Sequence, residues 1–182
     1  MKKLLLAMVL MFAVSAMFAQ SNKVEISFNY AYQKGFASNQ FALWIEDAEG
    51  GYIKTLFATK WTAAGGWKRR ENSLPLWVKR SSLAEMNKTQ IDALSGATPK
   101  TGGILNFTWD GTNNAGKQLP DGEYKIFIEG TLRNEYSVLY TLPVKLSEKH
   151  AAETLVDVQG KYSGTGKGEQ NMISKVTVRY LE

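Results

Sequence analysis

Hydrophobic and polar residues alternate along most of this chain. In KVEISFNY, Lys23 to Tyr30, the residues Val24, Ile26, Phe28 and Tyr30 fall at every second position. A period of two predicts a strand with one buried face. The stretch FALWIEDAEGGYIKTLFAT holds two such runs, Phe41 to Glu46 and Tyr52 to Phe57, around Glu49-Gly50-Gly51, which is a hairpin signal. In GILNFTWDGTNNAGKQLPDGEYKIFIEG a strand ends near Trp109, turn residues follow, and a second strand sets Tyr124, Ile126 and Ile128 on one face. Val138 to Leu146 is a further strand, and Pro143 within it predicts a sheet edge or a bulge. ISKVTVRYL closes the series with Val176, Val178 and Tyr180. About seven to nine short strands separated by turns predict an all-β, immunoglobulin-like sandwich. Its core should hold Phe28, Tyr30, Leu43, Ile45, Phe57, Trp109, Tyr124, Ile126, Val176 and Val178.

The segment Trp61 to Gly103 breaks this rhythm. It carries Gly65-Gly66, the charged group Lys68, Arg69, Arg70 and Glu71, the run LPLWVKR, and a short helix forecast around Ser82 to Thr89. One long irregular or partly helical insertion in a compact domain is the place to look for a site.

The first residues, MKKLLLAMVLMFAVSAMFAQS, combine two lysines, an apolar run from Leu4 to Ala16 and small residues at Ala16 and Ala19. This is the layout of a secretory signal peptide, with cleavage expected after Ala19. Met17 is a poor residue three places before that site, and an uncleaved anchor is the alternative. The expected organisation is a signal peptide over 1–19 and one β-sandwich domain over 20–182, periplasmic or otherwise exported and not itself membrane-spanning after cleavage. The chain has no Cys, so it can form neither disulfides nor thiolate metal sites, and its stability must come from its core. The formal net charge is +5, and loss of Lys2 and Lys3 with the leader lowers it by two. Such a mild excess does not argue for a nucleic-acid partner.

Several motifs fall short of a chemistry. SGTGKGE, Ser163 to Glu169, lacks the first Gly and the Ser or Thr of a phosphate loop and reads as a turn. His150 is the sole His and reads as a solvated residue. Asp110, Asn113, Asn114 and Asp121 do not have calcium-loop spacing, and Asx residues are expected in turns for their own hydrogen bonds. Lys68, Arg69, Arg70, Lys79 and Arg80 near Trp61, Trp67 and Trp77 could clamp a phosphate beside a flat ring. The simpler reading is a solvated rim whose tryptophans pack down the insertion. No paired acid and base, or nucleophile and base, can be read from the spacing, so no catalytic residue is assigned and the chain is not expected to be an enzyme.

Two resemblances add to this reading. Phe107 to Gly130, FTWDGTNNAGKQLPDGEYKIFIEG, resembles the immunoglobulin-like domain of the flagellar hook-capping protein, with its Trp-Asp-Gly, polar turn, and Pro-x-Gly-x-Tyr opening a strand. More broadly, SNQFALWIEDAEGGYIKTLF, SLPLWVK, DALSGATPKTG and the WDG hairpin, in that order, resemble a family of predicted periplasmic proteins of unknown function. Its members tend to be encoded beside flavin transferases and PepSY-type membrane proteins, and the resemblance implies those partners.

Within this frame DALSGAT, Asp92 to Thr98, is similar to the acceptor motif of covalently flavinylated FMN-binding domains. That resemblance implies FMN joined to Thr98 by a phosphoester, with Asp92, Ser95, Gly96 and Ala97 read by the transferase. The sequence departs from the pattern after the acceptor, where Pro99-Lys100 replaces a small or hydroxylic pair, and Pro99 restricts Thr98 to extended backbone. Without modification the same residues make an ordinary surface turn. The implied function is a non-catalytic component of an extracytoplasmic flavin-linked redox system. The alternative is a structural, assembly or binding module with a hook-capping-like fold and no cofactor.

Overall fold

A computed structural model of the chain describes residues 23–35, 38–133, 136–147, 160–163 and 172–181. The leader, His150 and most of the Ser163 to Glu169 turn lie outside them. The strands are β1 Lys23–Tyr30, β2 Gln40–Asp47, β3 Tyr52–Thr59, β4 Ser95–Gly96, β5 Gly103–Trp109, β6 Gly122–Thr131, β7 Ser137–Leu146, β8 Lys161–Ser163 and β9 Ile173–Leu181. They form two sheets, β5-β1-β9 and β4-β3-β2-β6-β7-β8.

One core joins the sheets. Val24, Ile26, Phe28 and Tyr30 of β1 meet Phe41, Leu43 and Ile45 of β2, Tyr124, Ile126 and Ile128 of β6, and Ile173, Val176 and Val178 of β9. All the predicted core residues are buried except Phe57, which packs half-buried against the same core. Ile173 and Val176 both face inward although three positions apart, because β9 slips its register on β1 between Ser27 and Asn29 and Lys175 takes a positive φ of 50°. An extra residue of this kind shifts which positions face inward.

The Phe41–Phe57 hairpin is present, closed by Asp47, whose carboxylate accepts from the Gly51 N–H, and by Gly50 at φ 90°. Pro143 sits where the sequence predicted an edge. β7 pairs along its length with β6 but with β8 only from Ser137 to Leu139. The neighbouring outward N–H, that of Lys145, donates to the Tyr180 hydroxyl rather than to a strand. The expected WDG hairpin is corrected. β5 pairs with β1, while β6 pairs with β2 and β7, so residues 110–121 carry the chain from one sheet to the other. Asp110 and Asn113 accept backbone N–H groups within that connection, which is the turn role expected of Asx residues. Tyr124, opening β6, donates its hydroxyl back to the Pro120 carbonyl at 2.9 Å.

The insertion covers the outer face of the larger sheet. It contains three short helices, α1 Lys60–Ala63, α2 Pro75–Arg80 and α3 Lys88–Leu94. The helix forecast at Ser82 to Thr89 is replaced by a tight turn at Leu83–Glu85 and by α3, whose start is set by a reciprocal capping box between Asn87 and Gln90. Ala42 and Trp44 of β2 and Ala58 of β3 pack beneath Ala63, Leu74, Trp77 and Leu83. β2 is therefore buried on both faces, which is why QFALWIED shows no polar alternation from Phe41 to Ile45. Three polar side chains of the larger sheet and its cover are tied down there. Trp44 Nε1–H donates to Glu46, Trp77 Nε1–H donates to Thr55, and the Glu129 carboxylate accepts the N–H groups of Leu76 and Trp77 at 3.2 and 2.8 Å. Glu129 thus performs from a neighbouring strand the capping that α2 lacks in its own residues.

Candidate functional site

The DALSGAT motif spans the end of α3, all of β4 and the first residues of a crossing segment. β4 lies parallel to β3, with Ser95 opposite Ala58 and Gly96 opposite Thr59, and extends the larger sheet at its edge. From there residues 97–102 pass to the smaller sheet, and the Tyr30 hydroxyl donates to the Pro99 carbonyl at 3.2 Å. Burial pushes the Tyr30 hydroxyl pKa well above its ordinary value, with Tyr32 adding to it, so Tyr30 keeps its proton and remains a donor. The anchor is the backbone carbonyl of Pro99, next to Thr98, and the hydroxyl of the half-buried Thr98 takes no part in it.

Asp92 projects from α3 between two ammonium groups. Lys60 Nζ from α1 stands 3.2 Å from one carboxylate oxygen, and Lys88 Nζ, one turn earlier on α3, binds the other. The hydrogen bond from Lys88, then that from Lys60, holds the Asp92 carboxyl below the usual range. Both partners are solvent-exposed, so the pairing orients the carboxylate more than it stabilises the fold. Gly96 has a packing duty of its own. A Cβ there would fall 2.6 Å from the ring of Phe57. Gly96→Ala is expected to displace Phe57 and cost about 1–3 kcal/mol, read as a lower midpoint in urea unfolding. An unchanged midpoint would show that the ring moves aside freely and that Gly96 serves only the motif.

Asp92 also lines a cleft of about 460 Å³ between α1, the turn at Gly66–Lys68 and α3. Its wall is apolar at Trp67, Leu83, Met86 and Ile91 and cationic at Lys60, Lys68 and Lys88. The five motif positions are continuous, but they differ in setting. Asp92 and Ala97 are exposed, while Ser95, Gly96 and Thr98 are half-buried.

The basic and aromatic residues of the insertion do not form one group. Trp77 is wholly buried and Trp67 lines the 460 Å³ cleft. Arg80 turns toward Glu46 and the Gly50 carbonyl. Trp61 alone keeps an exposed ring, at 37%, and the guanidinium groups of Arg69 and Arg70 lie 5.7 and 5.2 Å from its centre. The simpler packing reading thus describes Trp77 and fails for Trp61. Sequence reasoning missed Lys60 and Lys88 beside Asp92. The Lys88 to Asp92 spacing of four on a helix was a usable signal, whereas Lys60 comes from another element and left none.

Among the described residues no helix is long and apolar enough to cross a membrane. The family model described as "Predicted periplasmic protein (DUF2271)" matches residues 21–164. No curated protein and no solved structure matches the chain.

Proposed function

The chain belongs to this family of predicted periplasmic proteins, and from that premise we propose that it is a non-catalytic component of an extracytoplasmic flavin-linked redox system, carrying FMN on Thr98. The observation that carries this reading is the setting of DALSGAT. Thr98 is half-buried and lies two residues beyond the edge strand β4, behind Gly96 and Ala97, which are too small to obstruct an approaching enzyme. The lining of the cleft beside Asp92 supports this reading. Trp67, Met86 and Ile91 offer an apolar wall to a flat ring, and Lys60, Lys68 and Lys88 offer positive charge to a phosphate or a reduced ring. When bound, the isoalloxazine supplies the redox chemistry. The chain's own residues fix its orientation, present Asp92 to the transferase and hold the segment through the Pro99 carbonyl. A flavin transferase would form the bond, and a PepSY-type membrane protein is the electron-exchange partner this reading expects.

The fold is read as immunoglobulin-like. The order β5-β1-β9 corresponds to strands E, B and A of that fold, with β9 in the place of A, and β3-β2-β6-β7 corresponds to C′, C, F and G. The Tyr124 hydroxyl bonded to the Pro120 carbonyl, four residues upstream, supports this as a tyrosine corner. The same features favour the second reading, an assembly or binding module of hook-capping type without a cofactor.

Periplasmic co-expression with the cognate flavin transferase separates the two. The mature mass is expected to rise by one FMN less one water, as the Thr98 hydroxyl and the flavin phosphate condense. Thr98→Val should abolish the rise while leaving the unfolding midpoint unchanged, since Val keeps the β-branched shape and removes the nucleophile. Asp92→Ala should lower the modified fraction. An unmodified mass beside a transferase active on another substrate would leave the binding-module reading.

A further inference from the structure

A second cleft, of about 400 Å³, is lined by Ser38, Trp61, Arg69, Arg70 and Arg133. Three guanidinium groups therefore meet beside one exposed indole. They come from two parts of the chain, the insertion and the turn after β6, so their convergence is a product of the fold. Arg70 is held firmly. It donates through Nη1 to the Ser38 carbonyl at 3.1 Å and through Nη2 to Ser73 Oγ at 2.8 Å and Thr131 Oγ1 at 3.4 Å. Ser73 in turn shares a hydrogen bond with Thr62 Oγ1, and Thr62 Oγ1 donates to the side-chain oxygen Oε1 of the buried Gln40. A chain of buried polar contacts thus fixes this guanidinium from the core outward.

Among the described residues neither Arg69 nor Arg70 forms an ion pair with a carboxylate, Glu71 next in sequence included. Arg70 Nε is buried without a hydrogen-bond partner. Burial, with the like charge of Arg133, lowers the Arg70 pKa from its ordinary value. A half-buried cation facing further cations is unfavourable unless an anion completes the site. Guanidinium forks suit oxyanions, and the exposed face of Trp61 suits an apolar or flat portion of the same ligand.

We propose that the Trp61, Arg69, Arg70 and Arg133 cleft is a binding site for a phosphate group, either of a small aromatic phosphate monoester or of a lipid headgroup at the membrane surface. This site is separate from Thr98 and does not depend on flavin attachment.

Titration calorimetry with inorganic phosphate and phenyl phosphate tests it, with Thr98→Val protein as the background so that no flavin can interfere. Saturable binding is expected, tighter for phenyl phosphate, and weakened at least tenfold in Arg69→Gln/Arg133→Gln. Both substituted residues are exposed, so the unfolding midpoint should not change. Trp61→Ala should remove the advantage of phenyl phosphate over inorganic phosphate. Sedimentation with phosphatidylglycerol vesicles against phosphatidylcholine vesicles distinguishes the source. Arginine-dependent binding confined to the anionic vesicles assigns the site to a headgroup, and arginine-dependent binding of phenyl phosphate alone assigns it to a soluble ligand. No binding of any probe, or binding that the double arginine variant leaves unchanged, overturns the proposal.

Discussion

Glu129→Ala should lower the unfolding free energy by about 3 kcal/mol, because two buried N–H groups, those of Leu76 and Trp77, lose their acceptor together. The native carboxyl also makes stability depend on pH in a defined direction. Burial raises its pKa from 4.5 to about 7, against the opposing pull of the Trp77 and Leu76 N–H groups. The folded state therefore holds a proton that the unfolded chain has released. Its contribution to stability is fully present below pH 4.5 and is lost as pH rises toward 7. The span is worth up to roughly 3 kcal/mol, at 1.36 kcal/mol per pH unit. Asp92 and Asp110 act in the opposite sense. Their lowered pKa values add stability that disappears as the pH falls below the ordinary carboxylate range. Urea unfolding should accordingly be most cooperative and latest near pH 5 and earlier at pH 8. In Glu129→Gln the difference between those two pH values should shrink. A wild-type midpoint that rises from pH 5 to pH 8 would contradict the assignment.

Trp77→Ala should cost about 3–5 kcal/mol, the range for removing a large aromatic from a closed site. Trp77 is fully buried between α2 and the outer face of the larger sheet, and its Nε1–H donates to Thr55 at 2.9 Å. The loss should fall unevenly. Amide hydrogen exchange ought to quicken across residues 60–94 while β1 and β9 keep their protection, since those strands belong to the other core. Uniform quickening across both cores would show that cover and sheets unfold as one unit.

Where the pattern is local, the fold was legible. Alternation in KVEISFNY and in GEYKIFIEG names the inward residues of β1 and β6 correctly, because a strand's two faces depend only on its own backbone. Pro143 marks an edge for an equally local reason, its missing N–H. Partner choice is another matter. The WDG stretch carries every sign of a hairpin, yet β5 and β6 lie in different sheets, since pairing is decided by which surfaces close the core. β2 was read as half-buried. The absence of polar residues from Phe41 to Ile45 was the clue that its second face is covered.

The site was legible in the same uneven way. DALSGAT is visible as a motif because it is contiguous, and the packing of Gly96 on Phe57 is not, because Phe57 lies on another strand. The Arg69 and Arg70 pair stands out in the sequence, but Arg133 joins it only through the turn after β6. Trp61 and Trp77 look alike on the page. Which of them faces solvent follows from α1 lying at the rim of the cover and α2 lying over its middle.

The place of β9 beside β1 has a consequence for how an exported chain can mature. β1 is the first strand among the described residues, and its central position in the smaller sheet is completed on one side by β5 and on the other by β9, Leu181 opposite Lys23 and Ile173 opposite Tyr30. A polypeptide delivered N-terminus first thus brings out an apolar ribbon whose second neighbour arrives only after β2 to β8 have all emerged. Throughout that interval β1 has one open side, and whatever guards the emerging chain from sticking must remain until β9 has crossed.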